Sequence, residues 1–333
     1  MAEPAKLTEI WRGEMVESLH LGHAVICGPG GEIVESWGDP EVVIYPRSSA
    51  KMIQALPLVE SGAADAAGLT PEQLALACAS HNGAHIHTDR VAHWLADLGL
   101  GDDDLRCGAH MPADPEAAKK ITCSEAKPLQ VHNNCSGKHA GFLTLTRHLG
   151  AGPEYLDIDH PVQDAVRAAW EDVTGEPVRG WAIDGCSAPN FATSLHGLGR
   201  AMAFFAAARE EGRTPRERAA ARLRKAMAAH PELVAGEGRA CTGLMRAMEG
   251  RVSIKTGAEA VFVAMVPERK LGIALKVADG ATRASEATVA ALLVRLGVLD
   301  PDHEETRKVL NAPIRNWRGT VTGYIRPVQG LTG

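Results

Sequence analysis

A chain of 333 residues is long enough to bury one large core or two modest ones. Its 45% apolar and 23% charged composition excludes the disordered and fibrous classes. A formal net charge of −6, with no basic run longer than a few positions, excludes the electrostatic footprint of a nucleic-acid binder or of a protein resting on an anionic membrane, so small-molecule partners are expected.

The N-terminal stretch "MAEPAKLTEIWRGEMVES" carries no charged-then-apolar signal pattern, and no apolar run approaches bilayer length. A cytoplasmic location is therefore expected. From Val16 to Trp37 two short strands are predicted around "HAVICG" and "EIVESW", joined by the turn Gly28 to Gly31. A third, "EVVIY", ends at Pro46. From there to Pro231 the pattern is mainly helical: Ser48 to Glu60, Thr70 to Cys78 with a "TPEQ" capping box, Thr88 to Leu98, Gly137 to His148, Val162 to Val173, Gly197 to Glu210 and Pro215 to Ala229. Strand signals return at "RVSIK" and at a hairpin turning on Pro267 to Lys270, followed by a helix from Ala281 to Leu296 and an edge strand in "GTVTGYIRPV". The fold class expected is α+β: one antiparallel sheet assembled from both chain ends, in a single domain over 1–333 with a helical subregion at about 62–230. The seven cysteines are scattered without a C-x-x-C pair, so structural disulfides are not expected.

Three constellations carry chemistry. Ser48 and Lys51 form S-x-x-K at a helix start, where residues three apart share a face. A serine hydroxyl becomes a nucleophile when a base takes its proton, and lysine does this only as the neutral amine. An isolated S-x-x-K is usually an exposed cap beside a solvated lysine. It is followed, however, by Ser80 and Asn82 in "ASHNG" and by Lys255 to Gly257, a K-T-G at a strand end. Serine β-lactamases and penicillin-binding proteins carry S-x-x-K, S-D-N and K-T-G in this order. The third constellation pairs "VHNNCSGKHAGF" with "AIDGCSAPNF". Two distant cysteines, Cys135 and Cys186, with Lys138, His139 or Asp184 nearby, offer a weak zinc pattern without a C-x-x-C clamp. "SGKH" is no phosphate loop, because His132 stands where the first glycine belongs. His81, His85 and His87 read as solvated or capping residues of a helix-entry loop.

Taken together, "RSSAK", "ASHNG", "NNCSGKHAGF", "DGCSAPNF" and "KTGAE" resemble the L-asparaginase II family of the rhizobial type over nearly the whole chain. The resemblance implies a fold shared with serine β-lactamases and β-lactamase-like glutaminases, and a homodimer. It implies the nucleophile at Ser48 with Lys51 as its partner, and a second serine–lysine tandem at Ser80 and Lys255. It implies one zinc ion per subunit on Cys135, Lys138 and Cys186, although ligand chemistry alone points to His139 or Asp184 in place of the lysine. On the substrate side it implies Asp184 for the α-ammonium group and Arg47 for the α-carboxylate of L-asparagine, with Asn82 and His139 beside them.

The reaction expected is acyl transfer from an amide to water, with backbone N–H groups near Ser48 and in the K-T-G strand as the oxyanion hole and an alkaline optimum. Two alternatives stay open: a glutaminase or β-lactam or peptide amidase on the same fold, and an inactive amino-acid-binding sensor.

Overall fold

A computed structural model describes residues 3–333, which divide into two compact units. The first comprises residues 3–49, 193–207 and 243–333, and the second 50–192 and 208–242. Among the described residues no helix is long and apolar enough to cross a membrane.

The first unit holds an eight-stranded antiparallel sheet: β1 (Ala5–Arg12), β2 (Met15–Cys27), β3 (Ile33–Trp37), β4 (Ser253–Thr256), β5 (Val261–Val266), β6 (Leu271–Val277), β7 (Ala312–Arg315) and β8 (Val321–Pro327). The order is β7-β8-β1-β2-β6-β5-β4, with β3 paired to β2. The sheet is thus built from both chain ends, as expected. Residues Ala24 to Cys27 are completely buried, and so is all of β5, which requires cover on both faces. The Leu195–Ala207 helix packs against β2, β5 and β6, and the Thr282–Arg295 helix against β1, β5, β6 and β8. The first contact depends on glycine. A Cβ on Gly272 would lie 2.1 Å from the Ala203 amide nitrogen, so only hydrogen lets helix backbone and strand touch.

Three expectations change here. "EVVIY" yields only Val43–Ile44, which pairs with Thr193–Ser194 outside the large sheet. The "GTVTGYIRPV" strand is internal, because the short Ala312–Arg315 strand takes the edge. β1 was not expected at all: "AKLTEIWR" mixes charges into its alternation, yet it pairs with both β2 and β8.

The second unit is helical apart from a hairpin of Trp181–Ile183 and Pro189–Phe191. The expected helix Ser48 to Glu60 divides into a 3-10 turn (Arg47–Ala50) and helices Lys51–Gln54 and Leu56–Glu60, with Pro57 in the first turn of the last, where its missing N–H costs nothing. The "TPEQ" box forms as read: Thr70 Oγ1 accepts from Gln73 N, and Gln73 Oε1 accepts from Thr70 N. The Ser136–His148 helix packs against both the Leu56–Glu60 helix and the His85–Asp97 helix that carries the buried Trp94, and the Pro215–Ala229 helix packs against the Leu56–Glu60 and Pro71–Ala77 helices.

Candidate active site

In the second unit, the short Lys51–Gln54 helix is buried throughout, and Lys51 is 1% exposed. A buried amino group must find hydrogen-bond partners. Lys51 Nζ donates to the Ala79 carbonyl, to Ser80 Oγ at 3.1 Å and to the Asn134 carbonyl at 3.5 Å. Three segments distant in sequence therefore meet on one nitrogen, two of them the "ASHNG" and "NNCSGKH" motifs. Ser80 leaves the end of the Pro71–Ala77 helix, and its amide is fixed on the Val234 carbonyl at 2.9 Å. Asn82 is buried against Gly236 and uses its side-chain oxygen to accept from Ala84 N.

His81 correctly belongs to the interior, against the expectation of a solvated loop. Gly83 N donates to His81 Nδ1 at 3.2 Å, so the ring proton sits on Nε2, which donates to Ser136 Oγ at 3.0 Å. Ser136 in turn donates to the Val131 carbonyl. His87, also buried, stacks on His81 with ring centroids 4.8 Å apart, while His85 stays exposed. Burial holds the His81 imidazole well below its usual pKa, with His87 and Lys51 adding to the effect.

The pair of cysteine motifs also meets in this unit. Lys138 Nζ donates to Cys186 Sγ at 3.0 Å, and Cys135 Sγ donates to Asn134 Oδ1 at 2.9 Å. The neighbouring Cys135, followed by the Lys138 ammonium, favours the thiolate of Cys186 and holds its pKa well down against burial. Burial opposes the Lys138 ammonium, but Cys186 and Cys135 outweigh it and raise the pKa. His139 is fully buried on the Tyr155 hydroxyl, 2.8 Å from Nδ1, and burial pushes its imidazole down to about 4. Asp184 accepts from Gly185 N and donates its own amide to the Ala188 carbonyl, closing the hairpin turn that contains Cys186.

The expected zinc ion is overturned. Among the described residues, no group of three or more His, Cys, Asp or Glu side chains is placed to hold a metal ion. The trio Cys135, Lys138 and Cys186 supplies only two such donors, and Lys138 is a protonated hydrogen-bond donor where a metal needs a neutral amine.

In the first unit, Ser48 is half-buried in the Arg47–Ala50 turn. Pro46 sets up this turn: its carbonyl accepts from both Ser49 N at 3.2 Å and Ser49 Oγ at 2.7 Å. Arg47 is held at φ 55°, a left-handed conformation that a non-glycine residue adopts at a cost of about 1 kcal/mol or more. The K-T-G glycine lies against this turn, for a Cβ on Gly257 would stand 2.6 Å from the Pro46 carbonyl and 3.0 Å from Ser49 N. Lys255 is completely buried on β4 and donates to the Thr256 carbonyl at 2.7 Å. Gly257 N donates to the Val261 carbonyl at 2.7 Å, so this amide is not a K-T-G oxyanion donor.

Tyr155, and the Ala79 and Asn134 carbonyls on Lys51, were missed by sequence reasoning. Asn134 lies within a motif already singled out, whereas nothing around "PEYLD" marks Tyr155.

Compared with known proteins, the chain is similar in structure to Mglu, at 14% identity and a TM-score of 0.47, over 85% of this chain and 68% of that one. It is also similar to a β-lactamase from Mycobacterium bovis (13% identity, TM-score 0.44, 84% and 95% covered) and to an octameric penicillin-binding protein homologue from Pyrococcus abyssi (13%, 0.37, 90% and 80%). No curated protein matches it significantly. The L-asparaginase II family matches residues 8–327, nearly the full length. The chain therefore belongs to the L-asparaginase II family and is an enzyme, an amidohydrolase acting on asparagine-like substrates.

Proposed function

We propose that the enzyme hydrolyses L-asparagine to L-aspartate and ammonia through an acyl-enzyme on Ser48. Lys51, as the neutral amine, takes the Ser48 proton as the hydroxyl oxygen attacks the side-chain amide carbon. The C–N bond breaks, the leaving nitrogen gains a proton through Ser80 and Lys255, and ammonia departs. Water then adds to the ester carbon, the Ser48 oxygen leaves with a proton, and the β-carboxylate of aspartate is formed. Asp184 takes the α-ammonium group, Arg47 the α-carboxylate, and Asn82 and His139 complete the substrate side.

The observation that carries this reading is the Lys51 nitrogen, 1% exposed and 3.1 Å from Ser80 Oγ. A buried lysine on a serine hydroxyl is arranged to move a proton, whereas an exposed lysine of an ordinary helix end is not. The packing of Gly257 on the Pro46–Ser49 turn supports it further, because it links two of the three motifs in one unit. Homodimer formation belongs to the same proposal and is supported by the family resemblance.

The test is ammonia release from L-asparagine by the wild type and by Ser48→Ala, with L-glutamine in parallel. Asparagine turnover abolished in the variant supports the reading; a variant as active as the wild type ends it.

A further inference from the structure

The K-T-G strand runs into a turn that two consecutive non-glycine residues strain. Glu259 has φ 56° and Ala260 φ 55°, both left-handed. Each such residue costs about 1–2 kcal/mol and persists only where its surroundings over-determine it. The turn is closed from inside by Gly257 N on the Val261 carbonyl and by Val261 N on the Ala258 carbonyl. From outside it is held by a side chain of β6. Lys276 Nζ donates to the Glu259 carbonyl at 2.6 Å and to the Val277 carbonyl at 2.6 Å.

Position accounts for the choice of residue. Lys276 stands opposite Val261 on β5 and opposite His23 on β2, so its stem crosses the sheet surface directly below the turn. Burial lowers the ammonium pKa, while Glu259 and Asp279 oppose that effect; two carbonyls accept its N–H hydrogen bonds. Gly280, at φ 77°, lies beside Glu259: a Cβ there would stand 2.9 Å from Glu259 Oε2 and at an ordinary contact distance of 3.6 Å from Glu259 Cα. The turn is therefore held by Lys276, and its first glycine, Gly257, abuts the Pro46 carbonyl and Ser49 N of the segment that carries Ser48.

We infer that Lys276 is a positioning residue: by holding the Glu259 carbonyl it keeps the strained Glu259–Ala260 turn in place, and with it the Gly257 backbone that supports the Ser48 turn. This inference rests on the amidase reading for its effect on turnover and on the first unit alone for its geometry. Lys276 touches no reacting atom. It acts through the turn, so its removal affects the chemical step while substrate affinity, supplied by other residues, is kept.

The experiment compares wild type, Lys276→Met, Lys276→Arg, and the double variant Lys276→Met with Ala260→Gly, by steady-state ammonia release and by hydrogen exchange of the Gly257 and Val261 amides. Lys276→Met is expected to lower kcat about tenfold with KM changed less than about twofold, and to speed exchange at both amides about tenfold. Arginine restores the donor and most of kcat. Glycine at 260 takes a positive φ without strain, so the double variant also regains activity without any cation. A Lys276→Met enzyme with unchanged kcat and unchanged exchange overturns the inference. So does a loss of kcat that neither arginine nor Ala260→Gly repairs, since that pattern belongs to a charge acting directly or to general destabilisation. A wild type that releases no ammonia removes the amidase reading and the positioning role with it, and the exchange measurement still decides separately whether Lys276 holds the turn.

Discussion

Lys51 Nζ lies 3.1 Å from Ser80 Oγ, and the same nitrogen donates to the carbonyls of Ala79 and Asn134. Because two of its three acceptors are backbone atoms, the lysine is positioned by the chain itself, and Ser80 is the one acceptor that substitution removes. Ser80→Ala should leave Lys51 in place and lower kcat by about a hundredfold, the scale of one proton-transfer partner. Ser48→Ala should lower it by about a thousandfold further, the scale of a lost nucleophile. Steady-state ammonia release with both variants checks the ranking, and equal losses would contradict the division of roles.

His81 makes folding stability depend on pH. Its Nδ1 accepts from Gly83 N, leaving no room for a second proton, and burial depresses its pKa below the ordinary 6.5. Below pH 6.5 the unfolded chain binds a proton at this position that the folded chain refuses, so stability rises with pH up to that value and falls as the solution is acidified. Denaturant melts between pH 7 and 5 should show a steeper decline for wild type than for His81→Gln, whose neutral amide does not titrate.

Gly272 is a packing constraint with a direct test. A methyl group there meets Ala203 N at 2.1 Å and the Gly199 carbonyl at 2.4 Å, both backbone atoms that cannot step aside without moving the Leu195–Ala207 helix off the sheet. Gly272→Ala should cost about 3 kcal/mol, read as a lower midpoint in urea. Gly152→Ala, where a methyl meets nothing within 4 Å, serves as the neutral control.

Lys138 and Cys186 behave as a buried ion pair. Removing one partner alone strands the other charge, so Lys138→Met should destabilise by about 3 kcal/mol and shift alkylation of Cys186 to higher pH. The double variant Lys138→Met with Cys186→Ala should recover much of the loss. Additive losses in the double-mutant cycle would mean that the two groups do not interact.

The sequence was readable where local chemistry dominates. Two apolar runs around a polar turn located β5 and β6, and Thr70 with Gln73 announced a helix start that forms as a reciprocal box. Motif order brought Lys51 to Ser80 and Lys138 to Cys186. What escaped depended on partners far away in the chain. β1 has too many charges to advertise itself and becomes a strand because β2 and β8 pair with it on either side. "HNGAHIH" looks polar, yet His81 and His87 are buried because stacking and hydrogen bonds satisfy them. The zinc expectation came through resemblance, and here the third member of the trio is bound to sulfur as a cation. Tyr155 is visible only once His139 is placed against it.

The strand order has a consequence for synthesis of the chain. β1 is synthesised long before its outer neighbour, β8, which exists only when residues 321–327 have been made; β2 likewise waits for β6. The segments of the helical unit, 50–192 and 208–242, are complete before then and contain their own contacts. The β1–β2 hairpin therefore waits with one edge of each strand unpaired while the intervening residues are made, which makes it the segment a chaperone has most reason to hold, and β6 and β8 the strands that release it.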